Sequence, residues 1–441
     1  MDYIVPKTKQ KRIVIIGGGF AGLQLAKKLK NIDIQVVLLD KLNYHQFQPL
    51  FYQVATSGIE PSAISFPIRK IFQQQENLFF RVTEVLSIKT ESKQVETAIG
   101  MIDYDYLVIA TGAKNNFFGL KNIETFAFPM KTTSESIVLR NKLLQNIEDA
   151  VGNNDAEVRK ALLHTVVIGG GPTGVEISGA LGEMKKLVIP RDFRELDVNE
   201  VKVTIVESGP KLLPNMSFKA SLKADVYLNE LGVDVLKDAK VVDYDGETLS
   251  FANGAVIKTR AVIWAAGVAG NLVTGLTEDT KTRGNRIIVN EYNQIKGYDD
   301  IFAIGDIALM AGDAKYPNGH PQVAPVAIQQ ATNLAGNMKE IIKGSSIRKG
   351  FKYNYLGTMA TVGRNHAVVE FNKYMKYYGF LAWVTWLFVH LMSIVGVKNR
   401  VFVFLNWMWS YITYDQSLRL IIRTCNCKPE MKQVTYEKLV S

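Results

Sequence analysis

Ile13-Val14-Ile15-Ile16 leads directly into Gly17-x-Gly19-x-x-Gly22, and Val166-Val167-Ile168 leads in the same way into Gly169-x-Gly171-x-x-Gly174. In this spacing the first glycine permits a tight turn and the second lets a pyrophosphate approach the backbone. The third lets the following helix pack on the strand, and the helix N-terminus favours phosphate charge. One such hexapeptide alone is weak evidence. The second copy, again after an apolar run, predicts two dinucleotide sites in one chain.

An acidic residue ends the next apolar run after each glycine segment. Asp40 closes Val36-Val37-Leu38-Leu39-Asp40, and Glu207 closes the run that begins at Val201. A carboxylate at this place accepts hydrogen bonds from ribose hydroxyls and repels a 2′-phosphate, so Glu207 favours NADH over NADPH. A polar helical insertion over residues 182–200 explains the longer interval in the second unit. The alternative for each acid is a surface residue that follows a strand.

Length and cysteine content limit the class of protein. The 441 residues suffice for two or three domains, and 47% of them are apolar, enough for substantial cores. The polar, basic segment 1–12 lacks the apolar centre of a signal peptide, so export is not expected. Cys425 and Cys427 are the only cysteines. They supply neither a disulfide framework nor a complete metal site, and we interpret them as free thiols in a reducing compartment.

The net charge of +10 is unevenly distributed. Residues 371–441 carry nine Lys or Arg against three Asp or Glu, and they hold four of the five tryptophans. A basic face spread over the whole chain would indicate nucleic acid. A basic and Trp-rich C-terminal region instead indicates an anionic membrane surface, and no nucleic-acid partner is expected.

The order of apolar runs predicts an α/β fold with two Rossmann-like units and a C-terminal helical region. Tyr106–Gly112 and Ala261–Gly267 both read as buried strands that end in small residues, and Asp300–Asp306 reads as a later strand. The first cofactor domain is therefore expected to be split in sequence around the second. The predicted division is a first cofactor domain over 1–125 and 271–370, a helical connection over 126–160, a second cofactor domain over 161–270, and a membrane-binding and quinone-access region over 371–441.

The motifs together resemble a known family. The double fingerprint and the strand ends Ala110-Thr111-Gly112 and Gly305-Asp306 resemble the two-dinucleotide flavoprotein superfamily. More specifically, nearly the whole chain resembles the type II NADH dehydrogenases. These are single-chain NADH:quinone oxidoreductases that pump no protons. That resemblance rests on four segments: His45–Ala55, Gly171–Glu176, Trp264–Val268 and Gln329-Gln330.

The resemblance implies non-covalent FAD in the first site and NADH as substrate in the second. For FAD it implies contacts from Gly17, Gly18, Gly19, Phe20, Ala21, Gly22, Asp40, Lys41, Val85, Ala110, Thr111, Gly112, Asp306, Ala324, Pro325 and Ala327. For NADH it implies Gly169, Gly171, Pro172, Thr173, Gly174, Glu207, Ala265, Ala266 and Gly267. No metal is expected.

The resemblance also implies a catalytic carboxylate and a quinone site. Glu176 would face the junction of nicotinamide and flavin, where it could orient the nicotinamide or deliver a proton; the alternative is an acid that complements the helix dipole. Many relatives carry Ala-Gln where this chain has Ala324-Pro325, and proline offers no amide to a quinone. Gln329, Gln330 and Trp383 are the predicted quinone contacts, although either glutamine could bond backbone instead. For His45, packing against the flavin loop is favoured over catalysis.

The C-terminal region is predicted to touch a membrane without crossing it. Residues 379–397 are long enough to span, yet their aromatic residues are interspersed rather than held at the ends. We expect two amphipathic helices in one leaflet, with Lys398-Asn399-Arg400 as a loop at the head groups, on the cytoplasmic face of a bacterial inner membrane. Core helices, a homodimer interface and a true span are the alternatives, and a homodimer through these helices fits the same pattern.

Other classes of flavoprotein are compatible with parts of this pattern. Disulfide reductases and sulfide:quinone reductases need cysteines near the flavin, and no cysteine precedes Cys425. A ferredoxin-reductase-like enzyme or a DNA-binding flavoprotein similar to apoptosis-inducing factor would share the double fingerprint. Neither role requires the Trp-rich basic C-terminus.

Overall fold

The first glycine segment lies in a five-stranded parallel sheet, which we call the first nucleotide sheet. In spatial order its strands are Ile301–Ala303, Tyr106–Ile109, Arg12–Ile16, Gln35–Asp40 and Leu78–Val82. Both faces of its central strands are buried, which explains why their sequences are continuous apolar runs rather than alternating ones. The computed structural model describes residues 4–372, 374–413 and 418–422, so the interpretation of Cys425 and Cys427 lies outside the described residues.

A second parallel sheet, the second nucleotide sheet, repeats this arrangement. Its strands are Phe128–Pro129, Ala261–Trp264, His164–Ile168, Lys202–Val206 and Val233–Leu236. In each sheet the strand before the glycine segment is central, the strand with the terminal acid lies on one side, and the strand with small terminal residues lies on the other. The predicted α/β fold with two Rossmann-like units is confirmed.

Within the described residues, twelve α-helices connect and cover the sheets. They are α1 (Phe20–Lys28), α2 (Phe51–Ala55), α3 (Ile68–Ile71), α4 (Lys121–Phe126), α5 (Thr133–Val151), α6 (Ala156–Leu163), α7 (Pro172–Glu183), α8 (Ile189–Asp192), α9 (Phe218–Glu230), α10 (Ala324–Ile342), α11 (Phe380–Ser393) and α12 (Val397–Thr413). Local sequence sets several ends. Thr132 and Glu135 form a reciprocal cap at the start of α5, and the Asp155 carboxylate caps α6.

In the part of the chain that the structure describes, six smaller sheets accompany the two nucleotide sheets. Three are antiparallel and three-stranded: Val85–Lys89 with Gln94–Thr97 and Gly100–Asp103; Val241–Tyr244 with Thr248–Phe251 and Val256–Lys258; and Thr358–Thr361 with Ala367–Glu370 and Lys376–Tyr378. Three are pairs: Tyr44–Gln46 with Ser65–Pro67, Ala113–Asn115 with Val268–Gly270, and Ile287–Val289 with Ala308–Met310.

The structure places two of the predicted domain boundaries within sheets. The sheet over 358–378 crosses the boundary drawn between 370 and 371, and it packs on α7, α9 and α11. Phe128–Pro129, from the predicted helical connection, joins the edge of the second nucleotide sheet. The strand Ile301–Ala303 joins the first nucleotide sheet, as a domain split in sequence requires. The full division into domains stays a prediction.

The C-terminal region forms two helices, as expected, but the turn between them was misplaced. Lys398, Asn399 and Arg400 lie in the first turn of α12, and the connection is Ile394–Gly396. The reason is a long-range contact: the buried Asn399 amide donates to the Ala63 carbonyl (2.9 Å). Within the residues that the structure describes, no helix combines the length and apolarity needed to cross a bilayer.

Candidate active site

The first glycine segment forms a cradle that side chains would fill. Gly17 has φ +105°, and a Cβ placed there would lie 2.4 Å from the Ala110 carbonyl oxygen. A Cβ on Gly22 would lie 1.8 Å from the Gly17 oxygen, so α1 packs directly on the turn. By contrast, nothing lies within 4 Å of a Cβ on Gly19, at the N-terminus of α1. The backbone is therefore tightly packed at Gly17 and Gly22 and open to a ligand at Gly19, as a pyrophosphate site requires.

The second glycine segment repeats this geometry. Gly169 has φ +111°, and its Cβ would lie 2.7 Å from the Ala265 carbonyl. A Cβ on Gly174 would lie 1.8 Å from the Gly169 oxygen, and the space at Gly171 is open. The two sites therefore share one backbone design, in which strand, turn and helix N-terminus surround a space of the same kind.

The two terminal acids bind the glycine turns through equivalent contacts. Asp40 Oδ2 accepts a hydrogen bond from the Gly18 amide (2.5 Å), and Glu207 Oε2 accepts one from the Gly170 amide (2.7 Å). Burial raises the pKa of Asp40, although backbone donors oppose that rise. Each carboxylate thus lies beside the mouth of its cradle, where the sequence placed a ribose contact.

The predicted residues from the C-terminal half of the first site meet at one point. Gly305, in the turn before Asp306, lies between the starts of α1 and α10; a Cβ on it would be 3.1 Å from Ala21 Cβ and 3.5 Å from Ala327 Cβ. Burial raises the pKa of Asp306, while the positive charges of Lys131 and Arg286 lower it. The turn at Gly305 therefore lies between the first glycine segment and the first turn of α10, and Asp306 follows it directly.

Two other residues predicted for the first site, Thr111 and Lys41, bond to neighbouring segments. The Thr111 hydroxyl donates to the Asn271 carbonyl (2.6 Å), between the positive-φ Gly112 and a neighbouring loop. The Lys41 ammonium pairs with Glu84, directly before the predicted adenine contact Val85.

His45 packs beneath the first cradle. Its Nδ1 donates to the Gly18 carbonyl (3.2 Å), and its ring meets Phe20 edge-on with centroids 5.1 Å apart. Burial lowers the pKa of His45 to about 4, so the imidazole is neutral at pH 7. The structure places this histidine against the loop, as the packing interpretation expected.

At the second site, the residues after the strand Ala261–Trp264 form the wall opposite α7. Pro172 is the first residue of α7, where a missing backbone N–H costs nothing, and Thr173 beside it is exposed. A Cβ on Gly267 would lie 2.7 Å from the Phe118 ring. A side chain at Gly267 would therefore require the exposed Phe118 ring to move.

Glu176 is buried on α7 and faces the C-terminal region. Its Oε1 accepts a hydrogen bond from the Trp386 indole N–H (3.1 Å) and a long one from the Thr361 amide (3.5 Å). Burial raises the pKa of Glu176 to about 8, outweighing both donors. Sequence reasoning singled out this carboxylate but missed both partners, which lie on the sheet over 358–378 and on α11.

An aromatic group surrounds Trp386. Its ring stacks on His390 with centroids 3.9 Å apart and meets Tyr52 edge-on at 6.2 Å. The Tyr52 hydroxyl accepts from the Gln53 amide (2.8 Å). Burial is the main cause that raises the pKa of Tyr52, and the nearby Glu176 carboxylate raises it further. Burial lowers the pKa of His390 to about 4, so this ring is neutral as well.

A cavity of about 90 Å³ opens beside this group, between α2, α7 and the two C-terminal helices. Trp383, predicted as a quinone contact, lines it together with Gln53, whose side-chain oxygen accepts from the Trp407 indole (2.8 Å). Glu183 and Arg364 complete its polar wall, and the Glu183 carboxylate accepts from the Arg364 amide. Burial raises the pKa of Glu183. The seven-residue interval from Glu176 to Glu183 was a signal available in sequence, because it places both acids on one face of a helix.

The two predicted glutamines bond backbone groups. Gln330 Oε1 accepts from the Gly305 amide (2.8 Å), which fixes the turn before Asp306. Gln329 exchanges two hydrogen bonds of 2.9 Å with the backbone of Asn354. Pro325 lies in the first turn of α10, which its fixed φ suits. A quinone contact by either glutamine stays a prediction, and it would require one of these backbone bonds to be shared or broken.

Comparison with known protein families divides the chain in two. The family described as "Pyridine nucleotide-disulphide oxidoreductase" matches residues 11–331, which include both nucleotide sheets. The family described as "NDH2 C-terminal domain" matches residues 355–413, which include the sheet over 358–378 and both C-terminal helices.

Individual relatives agree with this assignment. The type II NADH:quinone oxidoreductase NdhA of Mycobacterium tuberculosis is 35% identical over 91% of this chain and 87% of its own length. The Staphylococcus aureus type II NADH:quinone oxidoreductase is 31% identical over 81% of this chain and 89% of its own. Among solved structures, NDH2 from Plasmodium falciparum in complex with NADH has a TM-score of 0.84 at 20% identity, covering 94% of this chain and all of that one. The resemblance read from the sequence is confirmed: this chain belongs to the type II NADH:quinone oxidoreductases.

Proposed function

We propose that this chain oxidises NADH through bound FAD and reduces a membrane quinone to quinol, without pumping protons. The observation that carries the proposal is the hydrogen bond between Glu176 and Trp386. It joins the helix of the second glycine cradle to the first helix of the C-terminal region. One buried carboxylate is thereby linked both to the NADH side and to the helices that would contact the membrane.

The first cradle fits FAD, because its open space lies among Gly19, Asp40 and the Asp306 turn. Gly17 to Gly22 would hold the pyrophosphate and Asp40 a ribose, while Asp306 and the start of α10 would border the rest of the cofactor. When bound there, FAD would supply the redox chemistry that links oxidation of NADH to reduction of quinone. The protein contributes position, a buried environment and protons.

The second cradle would hold NADH with the same set of groups. Gly169 to Gly174 would hold its pyrophosphate at the N-terminus of α7, and Glu207 would accept from its ribose hydroxyls. Ala265 to Gly267 would lie along the nicotinamide half, because a Cβ on Gly169 would already meet Ala265 and Ala266, so this segment directly adjoins the glycine turn.

Glu176 is the proposed proton-holding residue. With a pKa of about 8 its carboxyl is mostly protonated at pH 7. Since Oε1 already accepts from Trp386 and Thr361, the proton resides on Oε2, which can donate. A neutral carboxylic acid here can orient a nicotinamide amide or protonate a reduced quinone without placing a charge beside the reacting groups.

The C-terminal helices are the proposed membrane-contacting region. Both helices expose large apolar side chains, among them Leu381 and Phe388 on α11 and Trp409 and Ile412 on α12. The cavity lined by Trp383 lies at the inner side of these helices and is the proposed place where a quinone head group approaches. Attachment to the cytoplasmic face of a bacterial membrane and a homodimer through the same helices are further parts of the proposal.

The test separates the two half-reactions by stopped-flow spectroscopy of the flavin. Glu176→Gln should keep FAD bound and slow at least one half-reaction by about 10²-fold, the scale of general acid–base catalysis. Above pH 8 the parent enzyme should slow as Glu176 loses its proton, whereas the variant should lack that pH dependence. Glu230→Gln, an exposed position at the end of α9, is the matched control. Unchanged rates and pH profiles in both half-reactions for Glu176→Gln would remove this carboxylate from the mechanism.

A further inference from the structure

Helix α9 belongs to the second nucleotide unit, yet an apolar stripe along it is exposed to solvent. Phe218, Leu222 and Val226 recur at four-residue intervals, which places them on one face. Their side chains are 71%, 51% and 43% exposed, while the opposite face of α9 packs into the core. A phenylalanine this exposed at the start of a well-packed helix indicates a surface that contacts something apolar.

Two lysines border this stripe. Lys219 and Lys223 follow Phe218 and Leu222 by one residue each, on the side of α9 that faces the sheet over 358–378. The Lys219 ammonium lies 5.6 Å from the centre of the Tyr378 ring, and the Lys223 ammonium lies 5.8 Å from that of Tyr227. The apolar stripe therefore has a basic edge, an arrangement typical of helices that lie on anionic bilayers.

A hairpin tip extends the apolar surface beside the start of α9. Tyr374 is 84% exposed, and Met375 next to it is 53% exposed. Their backbone amides both donate to the Asn372 side-chain oxygen (2.8 Å each), which fixes the tip. Ser217, the N-cap of α9, donates through its amide and its hydroxyl to the Glu370 carboxylate at the base of the hairpin. Hairpin and helix are thus fastened side by side.

This surface continues into the C-terminal helices. Tyr378, in contact with Lys219, is followed by Gly379 and then by α11, whose first residues Phe380 and Leu381 are exposed. We propose that α9 and the hairpin tip form a second contact with an anionic lipid bilayer. The proposal rests on the membrane attachment proposed for α11 and α12, and it adds a contact from the NADH-binding unit. A wider contact that includes the NADH-binding unit would restrict the tilt of the molecule on the bilayer more than the helical pair alone.

The experiment measures flotation of the FAD-loaded full chain with vesicles of phosphatidylcholine alone or with 30% phosphatidylglycerol. Phe218→Ser with Leu222→Ser should weaken binding to both vesicles by roughly tenfold, because two large apolar side chains leave the interface. Lys219→Gln with Lys223→Gln should weaken binding to the anionic vesicles several-fold and leave binding to the neutral ones unchanged. Val242→Ser with Val256→Ser, exposed positions on another sheet of the same unit, is the matched control and should bind like the parent.

The outcomes separate this inference from the proposed function. If the α9 variants bind like the parent while Leu381→Ser with Phe388→Ser loses binding, the second contact is refuted and the C-terminal attachment stands. If none of these variants changes binding, both proposals fail. If the α9 serine variant changes only the molecular mass in light scattering, the surface joins two copies of this chain and the lipid proposal is wrong. If Phe218→Ser with Leu222→Ser unfolds the protein, Lys219→Gln with Lys223→Gln alone tests the lipid contact: unchanged binding to anionic vesicles would refute it.

Discussion

Burial sets the pKa of Glu176 more than any single contact does. It favours the neutral carboxyl, while the Thr361 amide and the Trp386 indole oppose it by stabilising the charged form. Because the pKa of Glu176 is raised from an ordinary 4.5 to about 8, its contribution to stability is greatest below pH 4.5 and is lost as pH rises toward 8. The indole limits that loss, since it stabilises the carboxylate once the proton leaves.

Replacing the indole tests this balance. Trp386→Phe keeps an aromatic ring against His390 but removes the donor, so the pKa of Glu176 should rise further. We expect the alkaline fall of the pH–rate profile to move upward, with the rate at pH 7 reduced by less than about threefold. Trp409→Phe, which alters an exposed tryptophan that does not bond Glu176 or line the cavity, is the control. An unchanged profile for Trp386→Phe would mean that the indole does not tune this carboxyl.

Glu207 allows a second test with one side chain. Its carboxylate holds the Gly170 and Gly209 amides and lies where a ribose would bind. Glu207→Gln keeps an oxygen acceptor but removes the charge that repels a 2′-phosphate, so the preference for NADH over NADPH should fall by about tenfold or more. The ratio of the kcat/KM values for NADH and NADPH measures this preference. Equal ratios in parent and variant would contradict the assignment of Glu207 to the ribose.

At the scale of elements, local pattern predicted features that lie within about forty residues of each glycine turn. The glycine turns, the strands that flank them and the acid after each strand follow from short motifs, and the structure places them as expected. The contact between Glu176 and Trp386 joins residues 210 positions apart, and the bond from Asn399 to Ala63 joins residues 336 apart. No periodicity encodes such pairings. This is why the turn at Lys398–Arg400 was misplaced and the partners of Glu176 were missed.

The tryptophans of α11 and α12 show the same limit. Composition alone treats all four as interfacial anchors, but Trp386 is only 1% exposed and the Trp407 indole donates inward to Gln53. Trp409 is 60% exposed. We therefore expect Trp409→Ser to weaken vesicle binding by roughly fivefold with thermal stability unchanged. Trp407→Ser should instead lower the melting temperature by several degrees, because the partly buried Gln53 side-chain oxygen loses the indole donor. The reverse pattern in flotation and calorimetry would restore Trp407 as the anchor.

At the scale of the whole molecule, α11 and α12 contribute differently to the site: only α11 covers Glu176. α11 supplies the buried Ala382 and Trp386 and thereby covers Glu176. α12 is held at its ends, by Asn399 at its start and by the Arg364 guanidinium, which donates to the Ser410 carbonyl (2.9 Å), near its finish. Removing both helices would uncover the proton-holding carboxyl, whereas removing α12 alone would leave it covered.

This difference makes a truncation informative. A chain that ends after Val395 should retain FAD and pass electrons from NADH to ferricyanide, because both glycine cradles and the Glu176 contact remain. Its activity with a long-tailed quinone should fall by at least about tenfold, because the apolar route from the bilayer loses one wall and the molecule loses half of its membrane helices. The ferricyanide rate is the control, because this acceptor does not depend on the cavity that α12 helps to line, and it should stay close to that of the full chain. A second truncation, ending after Gly379, removes Trp386 as well and should also lose the alkaline fall assigned to Glu176. If the first truncation reduces the long-tailed quinone normally, α12 is not part of the quinone route, and the cavity beside Trp383 must be entered from elsewhere.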